Sequence, residues 1–416
     1  MQNARSIYIL VLLIFFFTSS VQSGNLDGNY SGVMLQGFHW YSWKSSPWWG
    51  VIEQNAGKIA DGHFTMVWLP PCSTSAASEG YLPTRLSCLD TPYGTKDQLK
   101  SAVNKLHSYN LKALADIVIN HRCGTKDWAD FTDPQWGPDS VCCDDEWPGA
   151  QGGTDTGASY SAARDIDHNK EYVRKSIIDW LKLLRSDVGF DGWRYDFVRG
   201  YHGSFTDMYN QATTPYFSVG EWWGDLNINN PDVNRQMICN WLDAAGGNSA
   251  AFDFTTKGLL QHCVTTNEFY RLKDKDGKPA GLIGWWPAKA VTFVDNHDTG
   301  PSTGGSGGQN HWPFPGDKVL MGYAYILTHP GTPCVYWCHY FDWGTGIQAE
   351  IKKLIEIRQQ AGITSTSDIT IPIADNSKYV AQVGKNLIVK IGPGDWSPAS
   401  GWTLAASGAG YAVWTK

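Results

Sequence analysis

The chain is sparing with charge and lacks the marks of several large protein classes. Only 18% of its 416 residues are charged, and acids outnumber bases 40 to 33, for a net charge of −7. A nucleic-acid binder needs a basic face to displace counterions from phosphates, so that class is disfavoured. No internal run reaches the roughly 18 apolar residues that a membrane span requires. The sequence holds no CxxC pair of the zinc-binding kind, no long low-complexity tract and no repeat beyond the unit described below. Disorder is excluded as well, because 42% of residues are hydrophobic and 13% aromatic, too much apolar surface to leave in water. What stands in excess is tryptophan, at 21 residues. Flat amphipathic rings stack on sugars, but they also fill cores, so composition gives only a hint of carbohydrate.

Residues 1–23 read as a signal peptide. Arg5 precedes an apolar run over 7–17, and small polar residues close the segment at Val21-Gln22-Ser23. Secretion, or delivery to a vacuole of the secretory pathway, is therefore expected, with no membrane contact after cleavage. The sequon Asn29-Tyr30-Ser31 would then be open to glycosylation. All nine cysteines lie beyond the segment. Secretion permits disulfides, the odd count leaves at least one thiol over, and the pairing stays open. Nothing points to a dedicated assembly element, so a monomer is expected.

Short apolar runs at 33–36, 64–69, 113–119, 190–197, 216–220, 251–254, 290–294 and 334–337 predict buried strands. Amphipathic stretches such as 96–109 and 171–184 predict helices between them. Eight strands alternating with helices favour an α/β fold of the (β/α)8 TIM-barrel kind, whose strands are covered on both faces. A barrel of about 250 residues allows about 31 per unit, and Asp196 to Glu221 is one such unit. Asp116 to Asp196 is far longer, so roughly 45 residues are inserted after the third strand. The predicted organisation is a first barrel part at 24–120, an inserted loop-built subdomain at 121–164, a second barrel part at 165–360, and a small C-terminal antiparallel β-sheet domain at 361–416.

Three carboxylates follow the fourth, fifth and seventh apolar runs: Asp196, Glu221 and Asp298. A single Asp in such a place serves equally well to cap a turn. Three at strand ends of a closed barrel converge on one mouth and suit glycoside hydrolysis, where one attacks, one protonates and a third assists the cationic transition state. Arg194 lies two residues before Asp196, on the same strand face, where a guanidinium would orient the carboxylate and keep it ionised. His121 and His297 also sit at strand ends, where an imidazole binds a sugar hydroxyl or simply holds the structure.

These residues also carry a resemblance. ADIVINH (115–121), GFDGWRYDFVRG (189–200), VGEWW (219–223) and TFVDNHD (292–298) resemble the four signature regions of the α-amylase family of glycoside hydrolases, above all its plant-type members. The resemblance implies retaining cleavage of internal α-1,4-glucosidic bonds in starch, glycogen and maltooligosaccharides, with Asp196 as nucleophile, Glu221 as acid/base and Asp298 as transition-state stabiliser. It implies sugar contacts from Tyr81, His121, Arg194, Arg199, Trp222 and His297, a surface sugar site at Trp285-Trp286, and a weaker platform at Tyr379. It implies Ca2+ held by Asn120, Asp155, the Ala158 carbonyl, Asp165 and the Gly200 carbonyl, an all-oxygen set that suits a hard cation. Arg199-Gly200 stands where many members have Lys-His, so contacts to the leaving sugar must differ. The glycine-rich loop 299–310 reads as mobile and able to touch substrate. With FDFVRGY and VYWCHYFDWG it resembles bacterial exo-acting maltooligosaccharide-forming amylases, which leaves an exo-acting enzyme as the alternative. A non-catalytic starch-binding protein is a further one.

Overall fold

A computed structural model describes residues 28–45, 47–124 and 128–416. The signal-like segment lies outside them. Eight parallel strands close into a barrel: β1 Met34–Gln36, β2 Met66–Leu69, β3 Lys112–Ile117, β4 Gly192–Tyr195, β5 Ser218–Gly220, β6 Ala250–Phe252, β7 Ala290–Phe293 and β8 Thr332–Tyr336. Each pairs with its neighbours in sequence, and Met34 of β1 sits opposite both Met66 of β2 and Cys334 of β8, which completes the circle. Apart from Lys112, every residue of the eight strands is buried, as expected of strands covered by helices outside and side chains within.

The helices form where periodicity and caps agree. In α2, Lys96–Ser108, the buried residues Leu99, Ala102, Val103 and Leu106 make one face. Thr95 and Gln98 close its N-terminus with a reciprocal capping box. In α6, Phe254–Thr266, Asp253 accepts from the Thr256 amide and also from the amides of Leu282 and Ile283. One buried carboxylate thus ends β6, starts α6 and fixes the turn that leads towards β7. Among the described residues, no helix is long and apolar enough to cross a membrane.

Between β3 and α3 (Glu171–Leu183) lies the expected insert, and it is built of short pieces. His121–Arg122 pairs antiparallel with Arg164–Asp165, and Phe131–Thr132 with Gln135–Trp136. The first ladder stitches the two ends of the insert together at the barrel's mouth. After α8, Thr345–Gln360, a five-stranded antiparallel sheet follows: β9 Ile369–Ala374, β10 Tyr379–Val383, β11 Leu387–Ile391, β12 Thr403–Gly408 and β13 Tyr411–Thr415. β12 consists of small and largely exposed residues with no apolar alternation.

Tyr379 is not a sugar platform. It is fully buried, its hydroxyl pairs with His329 Nε2 at 2.9 Å, and it packs beside Tyr325. It locks the sheet to the barrel. None of the nine cysteines is bridged.

Candidate active site

β4 and β5 end one residue before Asp196 and Glu221, so both carboxyls leave the barrel at its C-terminal mouth. Asp298 arrives differently. β7 stops at Phe293, and the carboxylate rides on the following loop. There Asn296 Oδ1 accepts from the Asp298 amide at 2.9 Å, and Gln309 Nε2 donates to Asp298 Oδ1 at 2.6 Å. The glycine-rich loop is therefore stitched in place. Gly308 and Asn310 donate to Pro301 and Gly300 carbonyls, and the Gly307 carbonyl accepts from the Trp40 amide.

Arg194 organises the centre. Its side chain is fully buried, and Nη1 donates to Asp116 Oδ1 at 2.7 Å and to Asp196 Oδ1 at 2.8 Å. Nη2 approaches Glu221 Oε1 to 2.8 Å without hydrogen-bond alignment. Asp116 is spent on this scaffold. Its other oxygen accepts from Trp68 Nε1 at 3.0 Å and from the Tyr81 hydroxyl at 2.8 Å. Sequence reading passes over Asp116 as a functional residue, although a carboxylate inside an apolar strand announces a buried partner.

Electrostatics couple the two carboxyls. Burial pushes Glu221 up to about 8 and Asp196 up to about 7, with the Arg194 guanidinium pulling both down. Burial therefore outweighs the guanidinium at Asp196, contrary to the expectation that Arg194 keeps it ionised. The two share one guanidinium in a buried space and titrate as a pair, so burial keeps a proton between them, as acid/base chemistry needs. Phe197 adds a donor to the pair. Its backbone is left-handed, with φ of 42°, an uncommon and costly state for an aromatic residue, and its amide donates to Glu221 Oε2 at 3.2 Å.

The cleft has a volume of about 360 Å³, and its lining includes Asp196, Glu221, Asp298, Tyr81, Arg199 and His297. Tyr81 stacks near-parallel on both Trp40 and His297, at 5.8 and 5.1 Å between centroids. Gln36 Nε2 donates to His297 Nδ1 at 2.9 Å, and His297 Nε2 stands 3.4 Å from Asp298. Burial lowers His297 to about 4, so its ring is neutral in ordinary solution. Arg199 Nη1 donates to the Trp223 carbonyl at 3.0 Å.

Two expected sugar contacts fall elsewhere. His121 is fully buried and absent from the lining; its ring lies 3.9 Å under Tyr160, and Nε2 is 2.8 Å from the Tyr81 carbonyl. Tyr160 takes the cleft surface instead. Of the tandem Trp222-Trp223, Trp223 lines the cleft, stacked 5.1 Å from Phe254, while Trp222 does not. Beyond the strand end, alternation no longer tells which ring faces inward. Trp40, Phe197, Gln309 and His311 also line the cleft from loops, where no periodic signal existed. A second hollow, about 550 Å³, continues past Trp223 and His311 towards Trp312. Trp285 and Trp286 precede β7 and so lie towards the opposite end of the barrel. Trp285 is exposed above the Arg235 guanidinium, 3.7 Å away, while Trp286 is half-buried.

Beside the nucleophile, the expected cation ligands gather. Asn120 Nδ2 donates to Asp165 Oδ1 at 3.1 Å, and the Ala158 amide donates to the Arg199 carbonyl at 2.9 Å. A Cβ on Gly200 would stand 2.0 Å from Asn120 Oδ1, so glycine at this position is what admits the Asn120 oxygen. That oxygen is buried with no hydrogen-bond partner. Asp165 is pushed up to about 8 by burial and by the charges of Asp155 and Glu146. Carboxylate oxygens of Asp145, Glu146 and Asp165 lie within 4.8 Å of one another, which adds two acids that sequence reading did not name. An orphaned buried oxygen among crowded carboxylates fits a hard cation. Titrating calcium into chelator-treated protein should raise the melting temperature by several degrees, and Asp165→Asn should remove that rise.

Known proteins match most of the chain. The family described as alpha amylase, catalytic domain matches residues 47–138, and alpha-amylase C-terminal beta-sheet domain matches 360–415. The chain is 45% identical to probable alpha-amylase 2 of Arabidopsis thaliana, over 92% of this chain and 94% of that one. It is 40% identical to the chloroplastic alpha-amylase 3 of the same plant, over 92% of this chain and 44% of that one. A crystal structure of an Anoxybacillus α-amylase superposes with a TM-score of 0.67, at 16% identity, over 92% of this chain and 97% of that chain.

Proposed function

The chain belongs to the α-amylase family and is a glycoside hydrolase, and from that premise we propose a calcium-dependent enzyme that cuts internal α-1,4 bonds of starch, glycogen and maltooligosaccharides with retention. One observation carries the mechanism: a single buried guanidinium touches both Asp196 and Glu221. Two carboxyls on neighbouring nitrogens of one group suit the retaining separation of roughly 5–5.5 Å. Asp196 attacks the anomeric carbon while Glu221 gives its proton to the departing glycosidic oxygen. Water then releases the glycosyl-enzyme, with Glu221 taking a proton back. Asp298, held by Gln309, faces the positive charge that develops on the sugar ring. Tyr81 offers its ring face to that sugar, and Arg199 stands ready for a hydroxyl. Calcium, held by Asn120, Asp155, Asp165 and the carbonyls of Ala158 and Gly200, would fix the insert against the β4 loop that carries Asp196.

The open cleft, continuous with the hollow beyond Trp223, supports an endo mode, since chain can extend on both sides of the cut. Trp285 remains a proposed surface sugar site through its one exposed ring face. The signal-like segment supports secretion, which N-terminal sequencing of the mature protein checks.

A maltoheptaoside blocked at its non-reducing end tests the reading. Internal cleavage with calcium present is expected; cleavage of only the unblocked sugar would mean an exo-acting enzyme, and cleavage of neither a binding protein. The pH profile should be a bell whose limbs belong to the Asp196–Glu221 pair. Activity falls as pH rises through about 8, where Glu221 loses the proton it must donate, and falls on the acid side as Asp196 becomes protonated. Glu221→Gln should lower kcat by about 10²–10⁴ and abolish the alkaline limb.

A further inference from the structure

Three tryptophans stand among the exposed large side chains of the described residues, and two of them are neighbours. Trp128 is 47% exposed and Trp147 is 45% exposed, both on the insert. Their ring centroids are 5.8 Å apart and their planes meet at 41°. Two rings of this size left in water cost free energy that packing elsewhere would recover, so their exposure asks for a reason.

The backbone holds both in place. The Trp147 amide donates to Asp145 Oδ1 at 2.8 Å, and its carbonyl accepts from Arg164 Nη2 at 3.3 Å. Its indole Nε1 donates to the Ser161 carbonyl at 3.0 Å, which fixes the ring's orientation. Trp128 is left-handed, with φ of 60°, a strained state for a bulky residue, and its carbonyl accepts from the Gly124 amide at 2.9 Å. Strain of this kind persists where the surroundings require a side chain to point a particular way. Ser161, which anchors Trp147, follows Tyr160, and Tyr160 lines the cleft. The pair is therefore tied, through Ser161, to the residue next to one that lines the cleft.

We propose that Trp128 and Trp147 form an accessory platform for α-glucan chains, outside the cleft and feeding it. The inference rests on the α-glucan reading above. Sugar rings present C–H faces to aromatic planes, and two neighbouring, tilted, exposed indole rings offer that contact. A protein partner would need a larger apolar area. Two tilted planes match a chain whose successive rings turn at each α linkage better than they match a flat polymer.

The Trp128→Ala/Trp147→Ala double variant tests it, with Trp128→Phe/Trp147→Phe as the conservative control. Each is assayed with calcium on soluble amylose and on a blocked maltotrioside, and amylose binding is measured directly by calorimetry. The alanine pair should raise KM for amylose about five- to tenfold, leave its kcat near wild type, and leave the maltotrioside unaffected. The phenylalanine pair should recover most of the loss. Amylose kinetics and binding equal to wild type would overturn the platform, as would an equal loss on both substrates, which marks a structural role. Failure of the wild type to cleave either sugar would defeat the α-glucan hydrolase reading instead. The platform would then stand or fall on whether the alanine pair alone loses amylose binding.

Discussion

One buried cation decides how this active site works. The Arg194 guanidinium faces Asp116, Asp196 and Glu221, three carboxyls in a space where charge is poorly solvated. One positive charge cannot hold three negative ones there, so a proton must be shared among them. Asp116 is bound by three donors and Asp196 by Nη1, while Glu221 receives only an unaligned approach from Nη2 and one backbone amide. Asp116, with the most donors, is the best-held anion, and the proton is left to the Asp196–Glu221 pair, each with one aligned donor.

The rest of the structure serves that cluster. Asp116 reaches from β3 to Trp68 on β2 and Tyr81 beyond it, so the ring offered to the sugar is fixed by the same network that fixes the nucleophile. The turn through Phe197 to Gly200 aims one amide at Glu221 and brings Gly200 against Asn120. Asp196 and the Asn120–Gly200 contact are thus joined by four residues of backbone, so the order of one bears on the order of the other. Breaking such a buried ion pair by removing one partner typically costs about 3–5 kcal/mol, which is why the arrangement is rigid.

Much of this is legible in the sequence, and the failures have physical causes. The strands are visible because both their faces are buried, which writes a continuous apolar run; their ends overshoot because apolar loop residues such as Val118 and Val294 are buried too. Asp196 and Glu221 fall directly at strand ends, where pattern carries far. Asp298 lies five residues past β7, and its position depends on Gln309, which no local rule connects to it. His121 and Trp222 mark the limit of motif reading: the motif gives the residue, while a neighbour, Tyr160 or Trp223, takes the surface. Tyr379 fails for a similar reason, since β10 is buried on both faces at Tyr379, Val380 and Ala381, and alternation there does not distinguish inside from outside.

Substituting Arg194 by Lys and following kcat/KM against pH tests the central claim most directly. Lysine keeps the charge but is a single point donor that cannot span two carboxyls. The expected result is a large fall in kcat/KM with the two limbs of the bell displaced, because Asp196 and Glu221 no longer share one partner. A profile with the limbs of the native enzyme and a comparable maximum would contradict the account, and would mean that the charge alone, without the shared geometry, divides the roles.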